Sequence, residues 1–115
     1  MRRYFNPYFE NQFIFYKLPK KLFVDAQFKN ISTDSKILYT LLLDRTKLSY
    51  QNRMIDDHGK IYQYFTVKEA CEILHFGHEK VIRLFKELTE ADLIERRQEG
   101  FAKACKIYVK DFQSS

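Results

Sequence analysis

Apolar residues recur at helical spacing along three stretches of the chain and at strand-like spacing elsewhere, and that pattern predicts the elements. Ile37, Leu38, Leu41, Leu42 and Leu48 line one face of a long helix, expected to be mostly buried. It starts near Ser32-Thr33-Asp34-Ser35, where small oxygen-bearing side chains can accept the unpaired N–H groups of a first turn. Val67, Ala70, Cys71 and Leu74 follow at i, i+3, i+4 and i+7, and Thr66 with Glu69 forms a capping box at the start of that helix. Val81, Leu84, Phe85 and Leu88 are the buried stripe of a third helix, from about His78 to Ala91, with Ile82 on its flank. Only His75-Phe76-Gly77 separates the last two helices, and Gly77 can take the dihedrals of a tight turn.

The strand-like stretches frame these helices. Phe13 to Leu18 reads as a short strand stopped by Pro19, and Lys20 to Phe28 has room for a short helix with Leu22, Phe23 and Phe28 as apolar contacts. Met54-Ile55 and Ile61-Tyr62 flank a polar turn that ends in Gly59, the signature of a β-hairpin. Leu93 to Arg97 is a strand, Gln98 to Lys103 a loop around Gly100, and Cys105 to Val109 a second strand. Cys105, Ile107 and Val109 should lie on one face, with Lys106, Tyr108 and Lys110 on the other. Residues 1–12 lack periodicity and read as a flexible arm, basic at its start and aromatic after that.

Taken in order, these elements are a helix-turn-helix over residues 66–91 followed by a β-hairpin wing over residues 93–110. The expected fold is α+β: one winged helix-turn-helix domain spanning residues 1–115, with an added N-terminal strand and arm and a β-hairpin before the helix-turn-helix. At 115 residues the chain can bury a real core without staples.

Charge changes the picture once it is placed on that fold. The net charge is +5, and Lys and Arg release counterions condensed on a nucleic-acid duplex. On the third helix the open face carries His78, Glu79, Lys80, Arg83 and Lys86, and such a helix presents its N-terminal residues to base edges in the major groove. Arg83 suits a guanine edge, Lys80 and Lys86 suit guanine or phosphate, and Glu79 can accept from cytosine. Gly77 leaves the helix N-terminus open to a phosphate. The wing adds Arg96, Arg97, Lys103 and Lys106 as candidates for minor-groove or backbone contact, and the arm adds Arg2 and Arg3. A solvated face with i, i+4 pairs such as Glu79–Arg83 and Lys86–Glu90 is the bland alternative.

Other chemistry finds little footing. Asp56, Asp57 and His58 could suggest a metal, but turn chemistry explains the same residues. Cys71 and Cys105 read as small core residues, and no spacing suggests a metal site or a disulfide. No catalytic constellation, phosphate loop, signal peptide or membrane span is visible, so the expectation is a non-enzymatic, cofactor-free protein of a reducing, cytoplasmic compartment. Aromatic residues make up 17% of the chain. Phe5, Tyr8, Phe9, Phe13 and Phe15 of the arm and first strand are the candidate homodimer surface, with intramolecular core as their other possible role.

Several strings resemble the RepA_N plasmid replication initiators. They are Tyr16-Lys17-Leu18-Pro19-Lys20, the run from Asp34 to Arg45, Lys47-Leu48-Ser49, Asp56 to Tyr62, Phe65-Thr66, Lys86-Glu87-Leu88, Leu93-Ile94-Glu95 and Ile107-Tyr108-Val109-Lys110. The string from Leu41 to Ser49 followed by the Gly59 hairpin is the most specific piece. The resemblance implies a winged-helix domain that binds repeated sites (iterons) in double-stranded DNA of a plasmid origin, usually as a dimer. It also implies a longer parent protein whose C-terminal region contacts host replication proteins. Gly77-His78-Glu79 and Ala102-Lys103-Ala104 depart from the family pattern at DNA-reading positions, so a target sequence cannot be borrowed. A plasmid-encoded transcriptional repressor and a winged-helix protein-interaction module are the rival functions.

Overall fold

The computed structural model of the protein describes residues 1–2, 4–6, 15–101 and 103–114. Its elements are α1 (Lys21–Val24), a 3₁₀ turn (Ala26–Phe28), α2 (Thr33–Gln51), α3 (Val67–Leu74), α4 (His78–Glu90), β1 (Ile94–Arg97) and β2 (Lys106–Val109). The helix-turn-helix and the wing stand where the periodicity predicts them. Residues 15–19 differ: they are irregular rather than a strand, because no sheet edge among the described residues takes them up. Residues 13 and 14 of that expected strand lie outside the described residues.

α2 begins as its sequence suggests, with the Ser35 N–H donating to Ser32 Oγ at 3.1 Å. Leu38, Tyr39, Leu41 and Leu42 are buried, and so are Ser35, Lys36 and Thr40, so the first half of the helix is enclosed on more than one face. The Thr40 hydroxyl removes its own burial cost by donating to the Lys36 carbonyl at 2.9 Å. Leu48 departs from the expected buried face and is 55% exposed. The apolar cluster takes in Leu38, Tyr39, Leu42 and Leu43 of this helix and nothing beyond, so the last turns have no core to pack on.

α3 carries the full capping box: the Glu69 N–H donates to Thr66 Oγ1 at 3.0 Å and the Thr66 N–H to Glu69 Oε1 at 3.2 Å. The turn after it corrects the sequence reading. The left-handed residue is His75, at φ 58° and ψ 38°, whereas Gly77 has φ −72° and is the N-cap of α4. The His75 N–H donates to the Cys71 carbonyl at 2.9 Å, closing the helix with an αL cap that usually falls to Gly or Asn.

β1 and β2 pair antiparallel, with Ile94 opposite Val109 and Arg96 opposite Ile107. A third segment joins their edge at one residue: the Gln63 N–H donates to the Ile107 carbonyl at 2.9 Å, and the Ile107 N–H returns the bond at 2.8 Å. The hairpin expected over residues 54–62 shrinks to one bridge, Ile55 with Ile61, around a turn whose Gly59 has φ 79°. That hairpin covers the outer face of β2, so Tyr108 is buried along with Ile107 rather than facing solvent. Cys105 is only half-buried and lies outside the core cluster, whereas Cys71 packs against it.

Tyr39 ties α2 to the chain after β2, its hydroxyl donating to the Lys110 carbonyl at 2.7 Å and its ring meeting Phe112 edge-on at 6.3 Å. Burial pushes its phenol up to about 12. The folded pKa lies above the unfolded value of 10.0, so the contribution is intact below pH 10 and is lost as pH rises through about 12. Urea unfolding at pH 9, 10 and 11 should therefore show stability falling above pH 10, by at most about 1.4 kcal/mol per unit for this group. Tyr39→Phe should remove that part of the slope.

Candidate nucleic-acid interface

α4 divides cleanly into two sides. Val81, Leu84, Phe85 and Leu88 are buried, while His78, Glu79, Ile82, Arg83 and Lys86 are exposed. Gly77 offers no side chain to cap the helix, and a Cβ there would meet nothing within 4 Å, so the first-turn N–H groups of α4 have no side-chain cap at the N-cap position. Arg83 makes no ion pair among the described residues. Lys86 reaches Glu90 at 4.0 Å with both side chains largely exposed, a pair weak enough to exchange for phosphate. Ile82, on the flank of the buried stripe, is 44% exposed and leaves an apolar side chain beside Lys86.

Lys80 is already engaged. Its Nζ lies 2.8 Å from Asp34 Oδ2 and 3.8 Å from the centroid of the Phe76 ring. Two helical turns on, Glu87 accepts from the Ser32 N–H through Oε1 and from the Ser32 hydroxyl through Oε2 at 3.3 Å. Lys80 and Glu87 thus both contact the start of α2 from the same side of α4. Sequence reasoning missed Asp34 and Glu87 in this role, because nothing local marks two residues that meet only in the folded chain.

The wing splits its basic residues between two faces. Strand alternation puts Ile94 and Arg96 on the face toward α4, with Ile107 and Val109, and Arg96 Cζ stands 4.6 Å over the Phe85 ring. Glu95, Arg97, Lys106 and Tyr108 share the opposite face. There Arg97 pairs with Glu95 at 3.1 Å and stacks 5.3 Å from Tyr108, while Lys106 pairs with Glu99 at 3.3 Å and lies 4.5 Å over Tyr62. The hydrogen bond and charge of Glu95 hold the Arg97 guanidinium above its ordinary pKa. Arg96 therefore stands on the α4 side of the wing, over Phe85, and Arg97 and Lys106 stand on the opposite face.

Asp56 sits behind Arg97 and Lys106 as the organiser of the hairpin turn. Its Oδ1 accepts from the N–H groups of His58 and Lys60, both at 2.9 Å, and its Oδ2 accepts from the Tyr108 hydroxyl at 3.0 Å. The Lys60 N–H above all holds this carboxyl below its ordinary range, against an opposing effect of desolvation, with Tyr108 and His58 adding to the lowering. Turn and wing consume its acceptors, and among the described residues no group of three or more His, Cys, Asp or Glu could hold a metal.

The remaining candidates are spread out. Lys103 is exposed in the wing loop, which is drawn together by Gln98 Nε2 donating to the carbonyls of Gly100 (3.1 Å) and Lys103. Phe101 beside it is fully exposed. Arg2 is exposed, and Phe5 and Phe15 leave most of their surface open. Arg3, Tyr8, Phe9, Phe13 and Ala102 lie outside the described residues. No helix of the described residues is long and apolar enough to cross a membrane.

Known proteins share this arrangement. The family described as the N-terminus of replication initiator protein A (RepA_N) matches residues 14–115. A "41 kDa protein" of Lactobacillus helveticus is 35% identical over 91 residues, covering 79% of this chain and 26% of that protein. This chain thus spans about a quarter of that curated relative's length. A solved structure described as the "N-Terminal domain of DNA binding protein" superposes with a TM-score of 0.78 at 31% identity, over 96% of this chain and 85% of that one. One described as "Structure of Rep-DNA complex" gives 0.78 and 31% over 95% and 84%. One described as "Structure of MDR initiator" gives 0.75 and 33% over 95% and 86%. With the matched family covering all the elements that build the winged helix, the chain belongs to the RepA_N replication initiators and is their N-terminal domain.

Proposed function

We propose that this domain binds double-stranded DNA sequence-specifically at repeated sites of a plasmid origin, as the DNA-reading step of replication initiation. The observation that carries the reading is the open face of α4, where Arg83 has no ion pair among the described residues, with Arg96 on the side of the wing that faces α4. The likeness to a Rep–DNA complex at 31% identity supports it.

In this reading α4 enters the major groove. Arg83 chelates a guanine edge, Glu79 accepts from a cytosine amino group, and Ile82 offers an apolar contact to a thymine methyl. His78 and the N–H groups that Gly77 leaves uncapped meet base edge or phosphate, and Lys86 exchanges Glu90 for phosphate. Arg96 holds the backbone next to the groove, and Lys103 at the wing tip and Arg2 with Arg3 in the arm reach the flanking minor groove. Two copies read paired half-sites, with the aromatic arm around Phe5 and Phe15 as their contact. Host replication proteins are met by a C-terminal region of the parent protein. The work is binding without catalysis or cofactor, and it is done in the cytoplasm.

Fluorescence anisotropy tests the reading, with a labelled duplex of origin repeats against a scrambled duplex of equal length at about 150 mM salt. Binding at least about a thousandfold tighter to the repeats is the expected result. Equal binding to both duplexes, or none, contradicts it. The two faces of the wing give a second contrast: Arg96→Ala should weaken repeat binding roughly three- to tenfold and flatten the salt dependence by about one ion, while Arg97→Ala should leave both nearly unchanged.

A further inference from the structure

We infer that Asp34, on a helix outside the helix-turn-helix, is a positioning residue that withholds Lys80 from the DNA backbone and so limits non-specific binding. The inference rests on the proposed function and deepens it. Lys80 occupies the first turn of α4, where a free ammonium group would meet phosphate in any duplex, whatever its sequence. In the structure that group is held by the Asp34 carboxylate at 2.8 Å and by the Phe76 ring at 3.8 Å. The carboxylate and the ring offer the ammonium an alternative to phosphate, and a phosphate must displace at least the first to gain Lys80 as a contact.

The balance of that exchange depends on how firmly the duplex is seated. The Lys80 and Asp34 side chains are 36% and 41% exposed, so their pair is easily opened once a phosphate is fixed beside it. On a repeat, base contacts from α4 hold a phosphate in place and the exchange proceeds. On unrelated sequence the duplex is held loosely, and Lys80 stays with Asp34. The Glu87–Ser32 contact still joins α4 to α2 while the exchange occurs, so losing the Asp34 contact does not release the helix. Arg83 has no such carboxylate among the described residues, which separates a cation available to any duplex from one available on condition.

The test measures the salt dependence of binding to repeat and scrambled duplexes between about 50 and 200 mM for the wild type, D34N, D34E, K80A, D34N/K80A and D44N. Asp44 is exposed elsewhere on α2, so D44N makes the same change in net charge away from Lys80. D34N is expected to tighten binding to the scrambled duplex roughly threefold, the worth of one exposed ion pair. Its salt slope should steepen by about 0.9, one added phosphate contact. Binding to the repeat should tighten by at least the same factor with its slope unchanged, because the wild type already gives up the ion pair there, so a slope that steepens on the scrambled duplex alone marks the role of Asp34. D34E should restore the wild-type values, and in the K80A background D34N should do no more than D44N. A D34N protein that behaves like D44N, or a gain that survives in K80A, overturns the role of Asp34 while leaving DNA binding intact. A wild type with no preference for the repeat overturns the proposed function itself, and this inference with it.

Discussion

Replacing Arg83 with alanine is expected to weaken binding to the origin repeat by about 1–3 kcal/mol, roughly five- to 150-fold, and to relax preference at one base position. Arg83 stands on the open side of α4, one turn in from the N-terminus, and pairs with no carboxylate among the described residues. Its guanidinium is therefore free for a bidentate contact, in which a planar fork matches two acceptors of guanine. A Lys at this position keeps the charge and loses the fork. Arg83→Lys should thus retain most of the salt dependence and lose most of the base preference. Anisotropy against a panel of singly substituted repeats reads both effects. A protein whose preference survives Arg83→Ala at every position does not read DNA through this face.

The second large effect lies beneath that face. Phe85 is fully buried between α4 and the wing, and truncation to alanine is expected to cost about 3–5 kcal/mol, a large share of the stability of a small domain. Urea unfolding measures it directly. Phe85 also forms the floor under Arg96, 4.6 Å below its guanidinium, so stability and binding meet in one ring. Phe85→Leu separates them. It keeps most of the buried volume and removes the aromatic face, so unfolding should change far less than for alanine, while Arg96 loses a stacking contact that is worth about 0.5–1 kcal/mol at an exposed site. Repeat binding by Phe85→Leu should fall only as far as Arg96→Ala lowers it.

How much of this was legible along the chain follows from which contacts are local. The stripe Val81, Leu84, Phe85, Leu88 and the Thr66–Glu69 capping box are set within a turn or two of helix, and both stand where periodicity predicts them. The three-residue turn was legible as a turn, but not its chemistry: Gly77 suggested the left-handed position, and His75 holds it. The division between Arg96 and Arg97 was within reach, because alternation along the strand puts Arg96 on the face of the apolar Ile94 and Arg97 on the other. The docking of Gln63 onto Ile107 and the seizure of Lys80 by Asp34 join residues far apart in sequence. An isolated Lys on a helix looks the same whether water or a carboxylate awaits it. The family resemblance was strongest from Leu41 to Ser49, a stretch of α2 that lies outside α4. It therefore identified the fold and the family while leaving the reading residues to be found from geometry.

In the proposed reading the duplex is met by the exposed side of α4 together with Arg96 of the wing. Backbone amide chemical shifts of the labelled domain, followed while a repeat duplex is added, test it most directly. Shifts are expected to concentrate at Gly77, His78, Glu79, Ile82, Arg83 and Arg96, with the hairpin turn from Asp57 to Lys60 and the distal turns of α2 near Leu48 left in place. Shifts concentrated on the hairpin or on the distal turns of α2, with the amides of α4 unmoved, contradict it.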